Sequence, residues 1–131
     1  MKNKPENNTL VYSGMIASKP RMTQSDKWKV RPATSKYWAF KDLLTIAAKQ
    51  QGFTLGERVI ITVDIQMPRS WSAKKRETMC RMPHKQKPDA SNILKAIEDI
   101  LLPDDDSGIW DIHITKHWSN NESMVIIKNL V

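Results

Sequence analysis

Residues 58–68, RVIITVDIQMP, place Val59, Ile61, Val63, Ile65 and Met67 at alternate positions, with Thr62, Asp64 and Gln66 among the residues between them. A period of two lets a chain bury one face and wet the other, so this stretch must be a half-buried strand and the fold must contain a sheet. Pro68, which has no amide to give a ladder, ends it.

The flanking patterns supply the other layers. Ser35 can cap a helix running to about Gln51, with Tyr37, Phe40, Leu44, Ala47 and Ala48 at three- and four-residue spacing and Gly52 as the stop. SWSAKKRETM reads as a short basic helix, and CRMPHKQKP as a loop. A further helix opens at Asp89 and turns Ile93, Ile97 and Ile100 or Leu101 inward. LVYSGMIAS, residues 10–18, reads as a first strand. Residues 108–118 alternate, with Trp110, Ile112, Ile114 and Trp118 on the expected buried side, and MVIIKNL is expected to pair with them as a hairpin. The order β-α-β-α-α-β-β predicts an α/β (α+β) fold: a small mixed sheet with helices on one face. With 131 residues the chain has room for one domain, expected over 1–131 with residues 1–9 as a frayed tail.

Charge is unevenly placed. The chain carries 21 Lys and Arg against 14 Asp and Glu, net +7, which suits a polyanionic partner. Between Lys19 and Arg31 five basic residues face Asp26 alone, and between Arg69 and Pro88 seven face Glu77 alone; from Asp89 to Asp111 seven acids face only Lys95. No apolar run approaches the roughly 20 residues of a membrane span. The polar start MKNKPENNT and the lone Cys80 predict a reduced, cytoplasmic protein without a disulfide framework.

The acidic segment holds the chemistry-bearing residues. Asp89, directly after Pro88, is placed to accept hydrogen bonds from the first free amides of its helix, and as an N-cap alone it would need no further role. The run Asp104–Asp105–Asp106 could equally be a solvated loop. If the strand after Gly108 returns alongside the helix, however, Asp89 can face one of these carboxylates. Such a group repels itself unless a hard cation such as Mg²⁺ sits within it, bound by carboxylates and phosphate oxygens. Lys95, close to two helical turns from Asp89, has a stem long enough to reach a phosphate held there.

KPDASNILKAIEDIL followed by DDSGIWD resembles the signature of the RusA family of Holliday junction resolvases, which runs roughly Asp-x-Asp-Asn-x-x-Lys-Ala-x-x-Asp-Ala-Leu and then Asp-Asp-x-x-Val. The match covers residues 87 to about 118. The resemblance implies that Asp89 is the first catalytic aspartate, Asn92 the asparagine after the second, Lys95 the catalytic lysine and Asp106 the late catalytic aspartate. Asp105 stands beside it, and the spacing leaves the roles of Asp105 and Asp106 interchangeable. It further implies a homodimer that cuts four-way DNA junctions with Mg²⁺ or Mn²⁺. Ser91 stands where the family has a second aspartate, so one metal position loses a charge, giving a metal set of Asp89, Asp106, Asp105 and Ser91.

The basic stretches fit the same substrate. Lys85 and Lys87 flank the Asp89 position, and Lys74, Lys75 and Arg76 extend the track. Lys27, Lys29 and Arg31 can grip phosphate, and Trp28 among them can anchor the loop to the core or stack on a base. Trp38, Trp110 and Trp118 read as core or interface residues. His113 and His117 share a strand face with Asp111, but residues four apart on a strand are about 13 Å separated, too far for one zinc ion. Two other functions stay open: a junction-binding protein that has lost catalysis through Ser91, and a metal-dependent nuclease for other branched or single-stranded DNA.

Overall fold

The computed structural model describes residues 7–18, 32–104 and 107–130. Its elements run β1 (Thr9–Ser13), α1 (Pro32–Gln51), β2 (Arg58–Gln66), α2 (Ala73–Met79), α3 (Ala90–Leu101), β3 (Asp111–Ser119) and β4 (Met124–Asn129). The expected class and element order hold. The strands form one mixed sheet in the order β1-β4-β2-β3. The core joins it to α1 and α3 through Phe40, Leu44, Ile93 and Ile97 on the helices and Val59, Ile61, Val63, Val125 and Ile127 on the strands. Tyr37, Phe40, Leu44 and Ala48 are buried as their spacing predicts.

Several expectations are corrected. β4 does not form a hairpin with β3: it pairs antiparallel with β1 and β2, while β3 pairs parallel with β2 on the other side. β2 is thereby a central strand with both edges paired. The β3–β4 connection therefore crosses the end of β2, where Gln66 N donates to Ser123 Oγ at 2.9 Å. β1 stops at Ser13 rather than Ser18, before Gly14, whose φ of 141° lies outside the range ordinary residues favour. Of the expected tail, Thr9 is in β1 and Asn7 bridges Phe53, while residues 1–6 lie outside the described residues. α1 opens at Pro32, ahead of Ser35; first-turn amides have no intrahelical partner, so proline costs little there.

Trp110 is the clearest reversal. β3 begins one residue after it, and the indole is 68% exposed, with the Arg58 guanidinium 5.1 Å from its ring centroid. Trp38 is likewise largely exposed, with Lys41 Nζ 4.9 Å from its ring centroid. Trp118 is buried, as expected.

Both sheet edges are partly covered. On β1 the Gln51 side chain imitates a strand: Val11 N donates to its Oε1 (3.0 Å) and its Nε2 donates to Val11 O (2.7 Å). On β3 the loop after α2 does so, with Arg81 N donating to Trp118 O, Trp118 N to Met82 O and His84 N to Lys116 O. Exposed ladders invite pairing with other chains, and these contacts occupy part of each edge, at Val11 of β1 and at Lys116 and Trp118 of β3.

Two predictions follow from the packing. Ile97 is fully buried, so Ile97→Ala should cost about 2–5 kcal/mol of unfolding free energy, read from urea midpoints at unchanged slope. Burial first, and then the charge of Lys116, hold the His84 imidazole below its ordinary pKa of 6.5. The folded state thus prefers neutral His84, and its contribution is present above that value and lost as pH falls through the lowered pKa. Thermal stability should fall as pH drops from about 7 to about 5, and His84→Phe should flatten that part of the profile.

Candidate nucleic-acid interface and active site

The edge loop decides where the charged residues stand. α2, capped by Ser72 Oγ accepting from Lys75 N, ends at Met79, and the chain turns at Arg81, a non-glycine residue at φ 68°. It then runs along β3 to His84, leaving Lys85, Gln86 and Lys87 exposed before the cis Lys87–Pro88 bond and Asp89.

Asp89 occupies the N-cap position of α3, with extended backbone (φ −67°, ψ 147°), and Asp89 O accepts from Ile93 N at 3.0 Å. Its side chain makes no capping hydrogen bond. The carboxylate is exposed, so the position expected from sequence is occupied but the bland capping role is not. Ser91, Asn92 and Lys95 are also exposed; Lys95 lies four residues after Ser91 and three after Asn92, which puts the three on one helix face.

Sequence reasoning missed Lys116. Its Nζ donates to Gln86 O and to Pro88 O, both at 2.7 Å, tying down the two residues that flank Lys87. Burial lowers its pKa, while the negative charge of Asp89 works in the opposite direction. A signal was available: Lys116 shares strand parity with Ile112, Ile114 and Trp118, and a lysine on the inward side of an alternating strand has to be satisfied by something.

The basic residues divide by role. Lys74 and Lys75 are exposed on α2, with Lys75 Nζ 4.2 Å from the Trp71 ring centroid. Arg76, expected to contact DNA, also bonds locally: Nη2 donates to Pro68 O (2.8 Å), Nε to Trp71 O (3.2 Å) and Nη1 to Asn120 Oδ1 (3.4 Å). Arg81 Nη1 stands 3.0 Å from Asp64 Oδ1, an ion pair without a well-directed hydrogen bond. Lys27, Lys29 and Arg31 lie outside the described residues.

The acidic residues are also divided. Asp111 is committed to Arg58 Nε and His113 Nε2, each at 3.0 Å, and the Arg58 hydrogen bond is the main reason its carboxyl titrates below the ordinary value. Asp104 begins the loop beyond the far end of α3, and a helix of 12 residues is about 18 Å long, so it is not brought to Asp89. Asp105 and Asp106 lie outside the described residues. Among the described residues no three His, Cys, Asp or Glu side chains are grouped to hold a metal ion. What the described chain offers a hard cation is the uncommitted carboxylate of Asp89, which suits Mg²⁺ binding completed by phosphate oxygens and water.

The tether gives a prediction. Lys116→Met removes the donor from two carbonyls beside Asp89, and amide exchange at His84 and Ile93 should accelerate about tenfold relative to Ile61, equivalent to about 1.4 kcal/mol. Unchanged exchange would show that the loop holds itself.

Among the described residues no helix is long and apolar enough to cross a membrane. No curated protein matches the chain. A family model, described as Endodeoxyribonuclease RusA, matches residues 14–128, a span that includes the edge loop, Asp89, all of α3 and the strand carrying Lys116. With most of its length matched, this chain belongs to the RusA family of endodeoxyribonucleases, which resolve Holliday junctions.

Proposed function

We propose that the chain resolves four-way DNA junctions by Mg²⁺-dependent hydrolysis at Asp89, as a homodimer making paired symmetric cuts, with Mn²⁺ able to substitute. The observation that carries this reading is the exposed Asp89 carboxylate at the mouth of α3, which makes no capping hydrogen bond and is flanked by Lys85 and Lys87 before it and Ser91 and Lys95 after it. A bound Mg²⁺ would polarise the scissile phosphate and activate water for in-line attack. Asp89 would hold it together with Asp106, Asp105 and the Ser91 hydroxyl. Lys95 would stabilise charge on the phosphate, and Lys85, Lys87, Lys74 and Lys75 would grip neighbouring phosphates without reading sequence.

A homodimer has two motives. A four-way junction has two-fold symmetry, which two dyad-related sites match. In addition, Asp104, the described member of the acidic run, stands about a helix length from Asp89, which favours a second copy as the source of the partner carboxylate. Ser91 supports one further reading, a junction-binding protein with weakened or lost catalysis, because a hydroxyl is a poorer Mg²⁺ ligand than the family's aspartate.

Cleavage of a labelled four-way junction, compared with linear duplex in Mg²⁺, Mn²⁺ and EDTA, separates these readings. Symmetric metal-dependent nicks, reduced at least 100-fold by Asp89→Asn, are expected. Tight binding without cuts, restored by Ser91→Asp, would establish the binding reading instead. Mixing Asp89→Asn with Asp106→Asn should recover nicking at one site per mixed dimer if the carboxylates come from different copies; no recovery would return both to one chain.

A further inference from the structure

On the loop that covers β3, with its last lining residue on that loop three positions before Asp89, there is a cleft of about 280 Å³ bounded by Met79, Met82, Pro83, Lys85, Gln86 and Trp118. We propose that this cleft receives a nucleobase extruded from the branch point of the junction. The proposal rests on the junction-cutting reading and adds to it a site for one base.

The cleft is rigidly built. Trp118 is 3% exposed, with Trp71 4.7 Å from its ring on one contact and His84 4.2 Å on another. Cys80 N donates to Arg76 O, Met82 N to Met79 O and Trp118 N to Met82 O, so the two methionines are carried on a hydrogen-bonded turn. That turn contains Arg81 in the left-handed region, a conformation that costs free energy for a non-glycine residue and that surrounding contacts must sustain.

Its lining suits a flat heteroaromatic ring. Thioethers are polarisable and make favourable contacts with aromatic rings, and Met82, at 49% exposed, presents such a group at the rim. Gln86 offers an amide that can donate to and accept from a base edge. The volume falls below the roughly 300–1,000 Å³ typical of sites for drug-sized ligands. An apolar protein side chain would fit the lining equally well. The charge decides against it: Lys85 lines the cleft, and the segment from Arg69 to Pro88 that carries it holds seven basic residues against Glu77, a setting for phosphates.

Position makes the base available. Gln86 is three residues from Asp89, a span of at most about 11 Å, or about three stacked base steps along one strand. A base next to the branch point has already lost part of its stacking, so extruding it costs least there. Held in the cleft, it would fix the strand on which Asp89 acts.

The test uses four-way junctions carrying 2-aminopurine singly at each nucleotide within three of the scissile phosphate, bound by the whole protein in EDTA so that no cutting occurs. One position should brighten several-fold on binding, because 2-aminopurine is quenched by stacking in the duplex. Met82→Ala and Gln86→Ala should each suppress that signal and weaken junction binding about fivefold or more, with linear duplex affinity unchanged. Tight junction binding with no position brightening, or a signal indifferent to both substitutions, overturns the cleft proposal and leaves the resolvase reading standing. Failure to prefer the junction over duplex overturns both.

Discussion

The outer edge of β3 is the constraint on which the site depends. Its backbone at Lys116 and Trp118 pairs with Arg81, Met82 and His84, and the Lys116 ammonium then holds the carbonyls of Gln86 and Pro88. Those contacts turn an irregular basic loop into a fixed approach to α3. They also occupy part of an edge that would otherwise offer unpaired amides and carbonyls to other chains. Because β3 is parallel to β2, the chain between them has to cross over, and α2, the loop and α3 are that crossover. Sheet topology and site geometry are thus one problem with one solution.

At the N-terminus of α3 the chain does something unusual with an aspartate. A capping carboxylate would satisfy a free helix amide and lose its availability, whereas Asp89 keeps cap backbone geometry with no side-chain capping hydrogen bond. Lys116 sits under the same corner, partly desolvated and bonded to backbone oxygens, so its ammonium fixes the loop rather than forming a simple ion pair with the carboxylate. Lys74, Lys75, Lys85 and Lys87 are exposed, while Arg76 bonds to the fold and Arg81 pairs with Asp64. Basic residues that look equivalent in sequence therefore serve different ends.

Much of this was legible in the residues. Period two in 58–68 and the three- and four-residue spacings of α1 and α3 identified strand and helices, because those periods report which side of an element faces the core. They do not report which strand lies beside which, and so β4 was expected next to β3 when it lies between β1 and β2. Trp110 was misplaced because alternation was carried one residue beyond the strand's start, to a side chain that stacks on Arg58 instead. Asp89 and Lys95 stand out by their place on the helix and Ser91 by the family resemblance, whereas the missing capping hydrogen bond of Asp89 depends on a torsion that no spacing reveals. Arg76 looked like one more cation in a basic run until its three oxygen partners were visible.

The central proposal is that Asp89, whose side chain makes no capping hydrogen bond, binds a metal ion at DNA. The most direct measurement is Mn²⁺ binding followed by electron paramagnetic resonance, with the protein on a four-way junction whose scissile linkages resist hydrolysis, comparing the natural chain with Asp89→Asn. Mn²⁺ bound at least tenfold more tightly by the natural chain is the predicted result. Equal binding by both would contradict the account, since the carboxylate would then be free for no metal-binding reason.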